Sequence, residues 1–115
     1  MRKNYYTALL AVAVSAVHVA GLKTEFKNPS GAARPGVHWY FMDSNQDRSE
    51  MIADLRATND VGIGSVIFLE VDLGIPRGPV LFMSTQWQGN VADAFLEASN
   101  LGMEVILCIG PGNLN

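Results

Sequence analysis

Ser65-Val66-Ile67-Phe68-Leu69-Glu70-Val71 is the stretch on which the fold turns. A strand with one wet face alternates apolar and polar side chains, and this run does not, so it reads as a strand covered on both sides. Two further runs, residues 37–42 (Val-His-Trp-Tyr-Phe-Met) and 103–109 (Met-Glu-Val-Ile-Leu-Cys-Ile), have the same character. Between the first two, Asp47 and Glu50 have capping-box spacing, and Met51, Ile52 and Leu55 mark one helical face. Gly62 supplies a left-handed stop, which places a helix over residues 48–60. Between the second and third runs, Ser84 caps a helix whose apolar face is Trp87, Val91, Ala94, Phe95 and Ala98, ending before Gly102. Gly89 inside it costs about 1 kcal/mol relative to alanine, which packing can override.

The order strand, helix, strand, helix, strand defines an α/β chain. Helices of this length between buried strands imply parallel pairing through right-handed crossovers. Such a unit begins either an open doubly wound sheet or a closed barrel, and periodicity does not separate the two.

The chain has 115 residues, is 49% hydrophobic and carries a formal net charge of −3. That suits one modest globular domain. Its eight basic residues are scattered, with no stripe able to neutralise a run of phosphates, so nucleic acid is not an expected partner. The single cysteine, Cys108, cannot form an internal disulfide, and no Cys/His spacing resembles a zinc site.

Residues 1–21 open with Arg2 and Lys3, continue through an apolar stretch broken only by Ser15 and His18, and end in small residues. This is a secretory signal pattern, with cleavage expected after Ala16 or Gly21, and it implies a secreted or periplasmic product. The apolar core is shorter than the roughly 20 residues a spanning helix needs, so no stable membrane span is expected after cleavage. Residues 22–35, with Pro29, Gly31 and Pro35, read as an extended lead-in.

In both candidate architectures chemistry gathers beyond the carboxyl ends of the strands. Asp43, Ser44 and Asn45 follow the first strand, and Glu70 and Asp72 interrupt the end of the second. These oxygens suit sugar hydroxyls or a hard cation. Asp43 and Asn45 equally suit a turn, and Asp47 is a cap. Glu70, a carboxylate inside a buried strand, needs a partner or a wet cleft. Trp39 and Tyr40 point to opposite faces, so one can reach the strand-end mouth as a sugar-stacking platform while the other packs against helices. His38, a lone histidine in an apolar strand, reads as a satisfied core residue. Gly110-Pro111-Gly112 lacks the full glycine pattern of a nucleotide loop, which weakens the reading as an open-sheet nucleotide binder.

Residues 33–40 (Ala-Arg-Pro-Gly-Val-His-Trp-Tyr), residues 71–80 (Val-Asp-Leu-Gly-Ile-Pro-Arg-Gly-Pro-Val), Phe82-Met83-Ser84 with Trp87, and Gly110-Pro111-Gly112 together resemble the start of glycoside hydrolase family 106, the α-L-rhamnosidase-like enzymes. The resemblance implies a (β/α)₈ TIM-type barrel with appended β domains, an inverting and calcium-dependent mechanism, and a polysaccharide substrate. Residues 36–115 then form the first β-α-β-α-β units of that barrel, incomplete. The catalytic acid and base are expected further along a full-length barrel, so none is carried onto this chain, nor is any calcium ligand. Trp39, Asp43, Asn45, Glu70 and Asp72 remain the candidates for carbohydrate contact. A fragment of this kind is expected to be inactive alone. The alternative is a small non-catalytic carbohydrate-binding or vestigial protein.

Two departures stand out. The family usually follows the Gly-Pro-Gly turn with tryptophan, where this chain has Asn113, and places asparagine before it, where this chain has Cys108 and Ile109. A frameshift, premature stop or incomplete gene prediction just after the third strand is the expected cause of Asn113 and of the abrupt terminus. Sequencing the DNA beyond the Gly110-Pro111-Gly112 codons should therefore find a displaced frame that resumes with tryptophan and further βα repeats. An unbroken frame with no barrel downstream would favour the short sugar-binding or vestigial protein.

Overall fold

The computed structural model describes residues 21–108 together with Gly112–Asn113. The signal-type segment, Gly21 apart, lies outside them, as do Ile109, Gly110 and Pro111. The chain divides into two units, Met1–Ala32 and Ala33–Asn115. In the first, residues 21–27 are helical, with the Asn28 amide donating to the Thr24 carbonyl at 2.9 Å, and a 3₁₀ turn follows at Gly31–Ala33. This corrects the extended lead-in. Leu22, Lys23, Glu25 and Lys27 are good helix formers, and Pro29 ends the helix rather than preventing it.

In the second unit β1 (Gly36–Met42), α1 (Arg48–Asp60), β2 (Ser65–Asp72), α2 (Thr85–Asn100) and β3 (Glu104–Leu107) follow in the expected order. The strands lie in the order β1-β2-β3, all parallel, with Trp39 opposite Phe68, Phe41 opposite Glu70 and Val66 opposite Val105. A short β4 (Gly112–Asn113) pairs in parallel with Val71 and Asp72 of β2. A sequential order of this kind is shared by the start of a barrel and by one half of a doubly wound sheet.

Both helices begin where their caps predict. Asp47 accepts from the Ser49 and Glu50 amides at 2.8 and 3.0 Å and also from the Ser49 hydroxyl, and Ser84 accepts from the Trp87 amide at 3.2 Å. Each cap contributes about 1 kcal/mol. Ion pairs Arg48–Asp93 and Arg56–Glu97, at 2.5 and 2.6 Å, join α1 to α2. Both arginines are largely exposed, so each pair adds less than about 1 kcal/mol. The larger contribution is burial. Met51 and Leu55 of α1 and Trp87, Val91, Ala94 and Ala98 of α2 form one cluster with Phe41, Val66, Phe68, Val80 and Met103. Phe68 is 1% exposed, and burying a side chain of that size stabilises by about 1.5–3 kcal/mol.

The sheet is covered on one face, which corrects the expectation of strands buried on both. Val37, Trp39 and Phe41 of β1 pack toward the core, while His38, Tyr40 and Met42 face the other way and are exposed. Tyr40 is 50% exposed, and Ile106 of β3 is 45% exposed. The unbroken apolar pattern correctly marks two apolar faces, but the helices of this stretch cover only one. His38 is accordingly not a core residue: its ring stacks on Tyr40 on the open face, with centroids 5.6 Å apart.

The longest connection, residues 73–84 between β2 and α2, rests on the turn that ends β1. Asp43 and Ser44 both have positive φ, 47° and 66°, and the Asn45 amide closes back on the Met42 carbonyl at 3.0 Å, a turn with the signature of type I′. The Gly78 amide donates to the Asp43 carbonyl at 2.8 Å and the Val80 amide to the Ser44 carbonyl at 3.3 Å. The approach is so close that a Cβ on Gly78 would lie 2.3 Å from the Ser44 carbonyl oxygen and 2.6 Å from the Asn45 Cα. Both are backbone atoms that a rotamer change cannot move. Gly78→Ala should therefore lower unfolding stability by about 1–3 kcal/mol, the usual cost of overpacking. Gly89→Ala, inside α2 with nothing within 4 Å of its added methyl, should raise it by up to about 1 kcal/mol. Paired denaturant titrations check both signs, and a Gly78→Ala protein as stable as the parent would contradict the close seat.

Candidate functional site

At the carboxyl ends of β1 and β2 lies a cavity of about 300 Å³ lined by Asp43, Ser44, Glu70, Val71, Asp72, Arg77, Leu81 and Phe82. Three of the five residues singled out from sequence, Asp43, Glu70 and Asp72, meet there, and they do different things.

Asp43 organises the loop. It is 4% exposed, and its carboxylate accepts from the Leu73, Gly74 and Ile75 amides at 2.9, 3.2 and 3.4 Å. Asn45 works with it, its Nδ2 donating to the Met42, Asp43 and Pro76 carbonyls at 2.9, 3.3 and 3.1 Å. Both residues thus take the turn role, and Asn45 does not line the cavity. Asp72 lies beside Asp43 in the cavity lining, and the two carboxyls act on each other. The hydrogen bond with Asp72, reinforced by the three amides, holds Asp43 below the usual carboxylate range. The same bond raises Asp72, burial adds to the rise, and the Arg77 guanidinium opposes it. Asp72 also accepts from Arg77 Nη2 at 3.1 Å.

Glu70 lies on the helix-facing side of β2, in register with Phe41, and is 4% exposed. It has both the partner and the cleft that a buried carboxylate requires. Oε2 accepts from Trp87 Nε1 at 2.5 Å and from Gln46 Nε2 at 3.4 Å, while Oε1, on the same cavity-lining residue, takes no hydrogen bond from any described residue. Burial pushes its pKa up, the Trp87 N–H pulls the other way, and the charge of Asp72 adds to the rise. Gln46 is itself buried, and its Oε1 has no partner.

Trp39 does not join the others. It packs edge-on against Phe41 and Phe68 and donates from Nε1 to Asp54 Oδ2 of α1 at 3.2 Å. The platform role proposed for it is therefore corrected: its parity places it under the helices, and Tyr40 is the residue that faces out. The sequence reading missed Arg77, Leu81 and Phe82 as cavity residues, and Gln46 and Trp87 as partners of Glu70. The quoted Ile75-Pro76-Arg77-Gly78 and Phe82-Met83-Ser84 motifs were the available signal. Among the described residues no three His, Cys, Asp or Glu side chains converge as metal ligands, and no helix is long and apolar enough to cross a membrane.

Residues 27–114 match the family model of the glycoside hydrolase family 106 α-L-rhamnosidases. A Formosa agariphila protein bearing a β-glucuronidase name is 31% identical over 108 residues, which span 89% of this chain and 9% of that protein. Among solved structures, the rhamnosidase from Novosphingobium sp. PP1Y has the same local fold, with a TM-score of 0.74 at 30% identity over 79% of this chain and 9% of that one. The chain thus spans about a tenth of the length of these relatives. The motif resemblance and the family match agree along the same residues, the parallel strands and helices are similar to those of a solved rhamnosidase, and the chain belongs to glycoside hydrolase family 106.

Proposed function

We propose that this chain is the opening β-α-β-α-β segment of a (β/α)₈ glycoside hydrolase barrel, exported from the cell, that supplies part of an α-L-rhamnosidase-like sugar-binding mouth without a complete catalytic pair. The observation that carries the reading is the family match over residues 27–114, coupled to a polar cavity at the strand ends where barrel enzymes bind their substrates. The open apolar face bearing Tyr40, Met42 and Ile106 supports the barrel, since such a face calls for further strands to enclose it. The basic start and apolar run of residues 1–21 support export.

The residues present define what this stretch does and what it lacks. Inversion at a glycosidic carbon needs a protonated carboxylic acid at the leaving oxygen and a carboxylate about 6.5–9.5 Å away that activates water. Burial holds the pKa of Glu70 above its ordinary value, the direction that suits an acid. Among the described residues the other carboxylates of the cavity are engaged: Asp43 accepts from three amides, and Asp72 pairs with Arg77. What remains is binding. Glu70 Oε1 accepts a hydroxyl, and the Asp72–Arg77 pair offers both an acceptor and a donor to a neighbouring one. The calcium implied by the family finds no fitting ligand set among the described residues, since the most acidic corner is already spent on backbone amides. No step proposed for this stretch runs through a metal.

The purified chain should bind methyl α-L-rhamnopyranoside, read by ligand-observed NMR, and should show no turnover of an aryl α-L-rhamnoside. Turnover that co-purifies with the chain would overturn the missing base. Absence of sugar binding would overturn the mouth. The proton state of Glu70 is tested separately. Its folded pKa lies above the ordinary value of 4.5, so its contribution to stability is fully present below that value and declines as pH rises through the folded one. Glu70→Gln keeps an acceptor for Trp87 and removes the ionisation. Its stability relative to the parent should therefore grow from about pH 4 to about pH 7. A pH-independent difference would mean that burial does not disfavour the charged form.

A further inference from the structure

One wall of the cavity is built in a way the polar cluster does not explain. Leu81, Phe82 and Met83 are consecutive apolar residues, exposed by 54%, 36% and 55%, and Leu81 and Phe82 line the cavity together with its acidic residues. Met83 has a φ of 60°, in the left-handed region that a long side chain avoids. The surroundings impose this shape. Val80 is buried beneath the run, the Ser84 amide closes a turn on the Leu81 carbonyl at 3.0 Å, and Gln88 Nε2 donates to the Met83 carbonyl at 2.9 Å. The Phe82 ring meets Trp87 edge-on with centroids 5.1 Å apart, and Trp87 in turn holds Glu70. An exposed apolar run held in a strained conformation by its neighbours is what a preorganised contact surface looks like.

We propose that Phe82, with Leu81 beside it, is the stacking wall of a monosaccharide subsite. The C–H face of a pyranose ring lies on Phe82, and its hydroxyls point to Glu70 Oε1 and to the Asp72–Arg77 pair. The inference rests on the carbohydrate reading above and assigns the aromatic platform within it. A pyranose is the occupant that fits because its two sides differ as the two walls do. One is a set of C–H bonds for an aromatic surface, the other a fan of hydroxyls for carboxyl and guanidinium groups. The 300 Å³ cavity admits a single ring of that kind. Trp87 ties the two walls together, touching Phe82 with its ring and Glu70 with its N–H.

The test uses the full chain and methyl α-L-rhamnopyranoside, with binding and thermal stability measured on the same samples. Phe82→Leu keeps apolar volume against Trp87 and loses the ring, so affinity should fall at least about threefold, as for loss of an aromatic contact. Phe82→Tyr keeps the ring and should bind as the parent does. In the parent, nuclear Overhauser contacts should run from the Phe82 ring to pyranose C–H protons, a readout that stands even if Phe82→Leu fails to fold. Equal affinity of the parent and Phe82→Leu, or a bound sugar without contacts to Phe82, would overturn the platform and leave the carbohydrate reading intact. That pattern with a lowered melting temperature would mean that the Phe82 ring serves to pack Trp87 rather than to hold a ligand. A parent that binds no sugar would remove both.

Discussion

The Asp43 carboxylate is the point on which this half of the cavity hangs. A loop leaving the end of a strand carries amides that must find acceptors, because a buried unpaired N–H costs about 1–3 kcal/mol. Asp43 takes three of them in succession, and the backbone behind it takes a fourth from Gly78. The left-handed turn at Asp43 and Ser44 aims those acceptors at the loop. Everything downstream follows from that seat: Arg77 reaches Asp72, Val80 is buried, and the chain arrives at Ser84 in position to cap α2.

Elements were legible in the sequence wherever the signal was local. Asp47, Ser84 and Gly62 mark helix ends through hydrogen bonds and backbone angles that reach only a few residues, and the structure places α1 over the expected residues. What depended on the far side of the sheet was not legible. The apolar runs announced two apolar faces without saying which the helices cover, so His38 was placed in the core and Trp39 at the mouth. In the structure strand parity puts Trp39 under α1 and leaves His38 stacked on Tyr40 in the open. Glu70 was legible as a residue in need of company, but its partners lie 17 and 24 residues away, and no local spacing signals them.

The acidic corner avoids mutual repulsion by giving each carboxyl a separate settlement. Asp43 accepts from three backbone amides, Asp72 pairs with a guanidinium, and Glu70 is buried against an indole N–H. The arrangement leaves Glu70 with one oxygen turned inward to α2 and the other without a partner among the described residues, so occupancy of the cavity and seating of the helix act on the same group.

The loop over residues 73–80 is held almost wholly through its backbone: amides of Leu73, Gly74, Ile75, Gly78 and Val80, and the carbonyl of Pro76. Such a seat is indifferent to most of the side chains it carries. Gly78 and Val80 are the exceptions, because a side chain at the first would strike the turn and that of the second fills the core. Residues beside the cavity can therefore be exchanged without rebuilding their support, and ligand preference can drift while the scaffold stays put. A framework of this kind gives a lineage room to vary the rim of the cavity one residue at a time.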